Sequence, residues 1–190
     1  MYRGDEFKSR DREDKEVRLQ NVLVYGDPRH LLTRWIMRFQ RRQFPLSEWK
    51  LTHTGHLFIP ETDEECQLPF AGKVFEAVSP RVRATDIGEW FRDKTKWHIY
   101  EYKGSQKKVL AFGWWSKGTE GRTQYDWAGV FAFPLRVFKQ DKYTNFCSEY
   151  EVEGMIDTRI FPPMDSHRPP AWLDAYLSGS DEWETSVRPA

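Results

Sequence analysis

The stretch KWHIYEYKGSQKKVLAFGWW, residues 96–115, decides how the second half of the chain is read. Its first part alternates aromatic and polar side chains, the two-residue period of a strand with one face buried. Gly104, Ser105 and Gln106 follow as turn residues. In an extended KKVLAFGWW, Leu110, Phe112 and Trp114 point one way while Val109, Ala111, Gly113 and Trp115 point the other. The spacing therefore predicts two paired strands. TQYDWAGVFAFPLRVF (residues 123–138) and EYEVEGMIDTRIF (residues 149–161) extend the β reading, with Pro134 making the former an edge or a break.

Upstream, Val17, Leu19, Val22 and Val24 of EVRLQNVLVYGD alternate roughly, with a bulge expected at Gln20 and Asn21. Asp27 is placed to cap a helix with Pro28 at its first position. Leu31, Leu32, Trp35, Ile36 and Phe39 then recur at helical spacing, and Leu32, Trp35, Ile36 and Phe39 are expected in the core. KLTHTGHLFIP (residues 50–60) reads as a hairpin turning near Thr54 and Gly55, KVFEAVS (73–79) as a strand, and ATDIGEWFRDK (84–94) as a short helix capped by Thr85 or Asp86. The fold class this implies is α+β: an antiparallel β-sheet core with one long amphipathic helix and one or two short helices.

Residues 1–18 carry six basic and six acidic side chains, too polar to offset ordering entropy, so 1–14 is expected to be a disordered charged arm. A single domain over 15–160 follows. Residues 161–190, with two Pro pairs and interleaved acids and aromatics, are expected to be a partly ordered tail. Cys66 and Cys147 lie far apart and outside any C-x-x-C pair, which argues against a disulfide framework or a zinc ribbon. There is no signal-like apolar segment and no run of eighteen apolar residues, so the expectation is an intracellular protein, cytoplasmic or nuclear.

Within a chain of net charge zero, residues 28–50 hold six basic side chains against one acidic. Arg34, Arg38, Arg41 and Arg42 share one flank of the expected helix, and guanidinium forks suit phosphate or carboxylate groups. Trp172, Tyr176 and Trp183 stand among the acids of the tail, a composition suited either to a linear motif for a partner or to a terminal helix docked on its own core. Glu101-x-Lys103, with Asp86 upstream, resembles in three positions the D…(E/D)-x-K arrangement of a nuclease superfamily. That resemblance implies carboxylates holding Mg²⁺ and a lysine at the attacked phosphate. His53 and His56 in HTGH, followed by Glu61, Asp63, Glu64, Glu65 and Cys66, could converge on a metal. Cys147 in NFCSEY lacks a glycine elbow, and no histidine stands at a spacing that marks it as a partner.

The succession EVRLQNVLVY…RHLLTRWIMRF, a strand and then an Arg-rich amphipathic helix ahead of a β-rich half, resembles the organisation of some small viral matrix proteins over about a quarter of the chain. It implies a viral accessory or assembly role, although zero net charge departs from the basic surface of membrane-binding matrix proteins. The leading expectation is a non-enzymatic binding or assembly protein with a protein partner and no cofactor. RNA or another polyanion is the next partner considered, and a Mg²⁺-dependent nuclease comes third.

Overall fold

A computed structural model of the chain describes residues 17–46, 48–61, 68–94, 96–127 and 144–187. Strands β1 (Val17–Tyr25), β2 (Leu51–Pro60), β3 (Lys73–Ala77), β4 (Val82–Asp86), β5 (Trp97–Tyr102) and β8 (Trp183–Val187) form one sheet in the order β4-β3-β2-β1-β5-β8, each neighbouring pair antiparallel. Two short strands, β6 (Gln124–Tyr125) and β7 (Thr144–Asn145), make a separate parallel pair. Helices α1 (Leu31–Gln43), α2 (Ile87–Phe91), α3 (Gln106–Thr119), α4 (Cys147–Asp157) and α5 (Pro170–Ser178) complete the described elements. The expected α+β class with an antiparallel sheet holds.

Alternation puts two apolar surfaces on the sheet. Leu19, Leu23, Phe58, Phe75 and Tyr100 pack with Phe112 of α3, Tyr150 and Met155 of α4, and Leu173 and Leu177 of α5. Val22, Val24, Leu57, Val74 and Ile99 form a smaller cluster on the other face, closed by Trp90 of α2. Each such large side chain, fully buried, stabilises by about 1.5–3 kcal/mol relative to exposure. Sheet and core continue past Ile160, since Phe161, Leu173, Leu177 and Trp183 are all buried.

Several local expectations are corrected. KKVLAFGWW is helical: Val109, Phe112, Gly113 and Ser116 are its buried residues, spaced for a helix, while Trp114 is left 46% exposed. EYEVEGMID is also helical. Its Glu–apolar alternation imitates a half-buried strand, yet Glu149 and Glu151 are buried along with Tyr150 and Val152. Gly154 lets α4 approach α3, because a Cβ there would lie 2.5 Å from the rings of Phe112 and Trp115. Residues 51–60 are one continuous strand, with Gly55 passing 3.0 Å, measured from an added Cβ, from the Phe75 carbonyl oxygen. In β1 pairing runs unbroken through Gln20 and Asn21, both buried, and the register slips at Val24/Tyr25 instead.

Helix α1 begins at Leu31 with His30 at its N-cap. Asp27 instead binds Arg29 at 2.7 Å, and that hydrogen bond holds its carboxyl down at about 2. Leu32, Trp35, Ile36 and Phe39 are half-buried and only Met37 and Gln40 are buried, because α1 lies across the end of β2 and not on a sheet face. The expected arm over 1–14 and the expected strand beyond Trp127 lie outside the described residues.

Candidate active site

A buried histidine–glutamate pair lies on strands β2 and β3, and Cys147 opens α4 beside β2. His53 on β2 and Glu76 on the neighbouring β3 bond at 2.6 Å, Nε2 to Oε2. Cys147 acts on the same imidazole electrostatically. Cys147 is the first residue of α4, after an extended Phe146, so its Sγ sits beside a helix N-terminus whose first N–H groups have no intrahelical acceptor. The sulfur is also 4.0 Å from the carbonyl oxygen of Thr52, the residue before His53.

The electrostatics favour a charged histidine. Burial works against the cation, but hydrogen bonds to Cys147 and Glu76, together with their charges, outweigh it and raise His53 from 6.5 to about 10. Burial alone would likewise raise Glu76, which is 1% exposed. The bond to His53, with that ring's charge and the guanidinium of Arg83 at 2.7 Å, holds the carboxyl down at about 2 instead. Glu76 is thus a fixed anion that orients the ring and stabilises its protonated form.

A second buried polar cluster braces the first. One helical turn after Cys147, Glu151 Oε2 meets His56 Nδ1 at 2.7 Å, and His56 is three residues beyond His53 on β2. Asn21 donates to the same carboxylate oxygen at 3.1 Å, Thr54 donates to Asn21, and His56 Nε2 contacts Ser116 Oγ at 2.7 Å. Burial pushes the Glu151 carboxyl up while the His56 charge draws it down. At the mouth of the site, Ser148 Oγ donates to the Arg168 carbonyl at 2.5 Å, tying the segment before α5 to the start of α4.

Cys147 forms part of the wall of a small, mostly apolar cleft of about 40 Å³. Trp35, Ile36 and Phe39 of α1 face Phe146, Pro169 and Pro170 across it. Gln40 fixes that helix in place. Its Nε2 donates to the carbonyls of Trp49 (3.0 Å) and Leu51 (2.6 Å), and its Oε1 accepts the Ala171 N–H at 2.9 Å.

The residues singled out from sequence are distributed differently. Arg34, Arg38, Arg41 and Arg42 are exposed on α1, Arg41 stacking on Trp49 with 5.4 Å to the ring centroid. The tail's acids do not reach them: Asp174 accepts from His98 and Tyr100, and Glu184 pairs with Lys103. Glu101 binds Lys103 at 2.7 Å and also takes Gln20 and Arg18, whereas Asp86 pairs with Lys73 on the far edge strand, four strand spacings or roughly 19 Å away. These three do not converge. His53 and His56 engage different carboxylates, and among the described residues no group of three or more His, Cys, Asp or Glu stands ready for a metal. Trp172 and Tyr176 stack half-buried at 5.0 Å, while Trp183 is buried against Tyr102.

The sequence alone set Cys147 aside as a nucleophile and did not single out Glu76. Reading residues 149–161 as a strand hid the fact that Cys147 opens a helix. Protein-family models, curated proteins and solved structures give no match to this chain.

Proposed function

We propose that this protein is a cysteine-dependent acyl hydrolase or acyl transferase that works through a thioester. The observation that carries the reading is the His53–Glu76 pair at 2.6 Å with Cys147 acting on the same ring, a set of nucleophile, base and orienting acid that can give a thiol its reactivity. The roles are those of the Cys–His–Asn set of papain-like proteases, with Glu76 in the orienting position. Proton transfer from the thiol to His53 supplies the attacking sulfur. The thiolate attacks an acyl carbonyl carbon. The oxyanion forms beside the N–H groups of the first turn of α4, and His53 delivers its proton to the departing amine or alcohol. Water, or another acceptor deprotonated by His53, then opens the thioester and restores the thiol.

The test is labelling and turnover together. Iodoacetamide should alkylate Cys147 in the folded protein, at a rate at least tenfold lower in His53→Ala. An activated ester such as p-nitrophenyl acetate should be hydrolysed by the wild type and not by Cys147→Ala. A Cys147 that reacts no faster in the wild type than in His53→Ala would end this reading.

A second reading, binding without catalysis, is supported by the outer flank of α1. Arg34, Arg38 and Arg42 are exposed and have no acidic partner among the described residues. Such a flank would hold RNA or another polyanion, with affinity falling as salt rises. Charge reversal at Arg34, Arg38 and Arg42 should flatten that salt dependence, and absence of binding at low salt would remove this reading.

A further inference from the structure

We propose that the outer face of α1 lies on an anionic lipid surface, with its arginines against the phosphate headgroups and Leu31 and Leu46 reaching below them. The inference rests on the reading of that flank as a polyanion site and names the polyanion. It does not involve Cys147.

Leu31, Arg34, Arg38 and Arg42 stand at positions i, i+3, i+7 and i+11 of the helix, so one exposed face carries all four, with Arg41 beside it. Residues 28–46 include no acidic side chain, and Asp27 just before them is taken by Arg29. Arg34, Arg38 and Arg42 have no acidic partner among the described residues. They follow one another at intervals of four, so like charges meet along the helix and weaken it unless an anion lies against them. A face that only had to stay solvated would mix both signs. The zero net charge of the chain does not oppose this, because at physiological salt charges more than about 8 Å away are largely screened and a surface meets the charge of α1 alone.

Apolar side chains decide between lipid and nucleic acid. Leu31 is 75% exposed, and Leu46, two residues past the C-cap Phe44, is fully exposed. They bracket the arginines at opposite ends of a helix about 20 Å long. Bases stack on aromatic rings and gain little from an isolated leucine, whereas acyl chains accept an alkyl group with its transfer free energy. Trp35 and Phe39, stacked at 6.5 Å on the shoulder of α1, are half-buried rings of the kind favoured at headgroup level. The underside of the helix is held by the Gln40 hydrogen bonds to Leu51 and Ala171, so α1 meets a bilayer with its outer face only. Binding is therefore peripheral and reversible, and it needs both the charge and the leucines.

Cosedimentation of the full chain with vesicles tests this. At low ionic strength the protein should pellet with phosphatidylcholine vesicles containing phosphatidylserine at about one lipid in three, and should stay in solution with phosphatidylcholine alone. Replacing Arg34, Arg38 and Arg42 together by Ala should weaken partitioning about a hundredfold, at roughly fivefold for each basic side chain. Leu31→Ser combined with Leu46→Ser should weaken it about tenfold and leave binding to a labelled single-stranded RNA unchanged. All five positions are exposed, so the variants should melt as the wild type does, and Leu46→Ser alone, outside the helix, serves if Leu31→Ser disturbs it. RNA binding without vesicle binding would overturn the lipid assignment while leaving α1 a polyanion site. Vesicle binding indifferent to the leucines, or to the three arginines, would overturn it as well. If neither RNA nor vesicles are bound at low salt, the polyanion reading of α1 fails and this inference falls with it.

Discussion

Glu151 meets His56 at 2.7 Å with both side chains fully buried, one helical turn below Cys147 and three strand residues beyond His53. The contact ties α4 to β2 close to the start of the helix, where Cys147 stands. Removing one partner of a buried pair leaves the other without compensation and typically costs about 3–5 kcal/mol. His56→Ala and Glu151→Ala should each destabilise on that scale in urea denaturation, and the double replacement should cost clearly less than the sum. A single replacement costing under about 1 kcal/mol would mean the pair does not brace the site.

The His53–Glu76 pair predicts how stability follows pH. His53 is raised to about 10 from 6.5, so its contribution is complete below 6.5 and is lost as pH climbs towards 10. Glu76 is lowered to about 2 from 4.5, so its contribution is complete above 4.5 and is lost as pH falls towards 2. These are two views of one interaction and are not added. The difference in Tm between wild type and Glu76→Gln should therefore be greatest between 4.5 and 6.5 and shrink on both sides. A pH-independent difference would show that the pair is not ionised in the folded protein.

Burial separates two aromatic residues that look alike in sequence. Phe112 is 0% exposed between the sheet and α4, so Phe112→Ala should cost about 3–5 kcal/mol and leave little folded protein. Trp35 is half-buried at the rim of the cleft, so Trp35→Ala should cost roughly half as much and keep a cooperative melt. Equal losses would return α1 to the core.

Strands rich in aromatic and branched residues, as in KWHIYEY and KVFEAVS, were readable from residue type alone. So was the short helix carrying Trp90. Two helices were hidden: in α3 large apolar residues also occupy positions off its buried stripe, Trp114 among them, and α4 is buried nearly all round with a Glu–apolar alternation that imitates a strand. Alternation in EYEVE would have required Glu149 and Glu151 to face water. The fold buries both instead, Glu151 against His56 and Glu149 against the Phe146 N–H at 3.4 Å. The site was illegible for a related reason. His53 and Glu76 are separated by a long stretch of chain and come together only where β2 and β3 run side by side, and Cys147 reaches β2 only through the docking of α4. No local spacing encodes that.

Gln40 supplies the last prediction. It is fully buried and joins three elements with hydrogen bonds to Leu51, Trp49 and Ala171. Gln40→Leu keeps the volume but leaves two carbonyls and one N–H without their partner, each costing about 1–3 kcal/mol where water cannot replace it. The bonds lie where α1 meets β2 and α5, not in the main core, so much of that cost can be relieved by α1 shifting outwards until water reaches those groups. The expected outcome is a modest loss of Tm with faster hydrogen exchange over residues 31–43 and over Ala171, while the amides of β1 and β2 beyond Thr52 keep their protection. Because α1 is one wall of the cleft, ester turnover should fall through KM more than through kcat. Unchanged exchange in α1 would show that its apolar contacts, and not the Gln40 amide, hold it over Cys147.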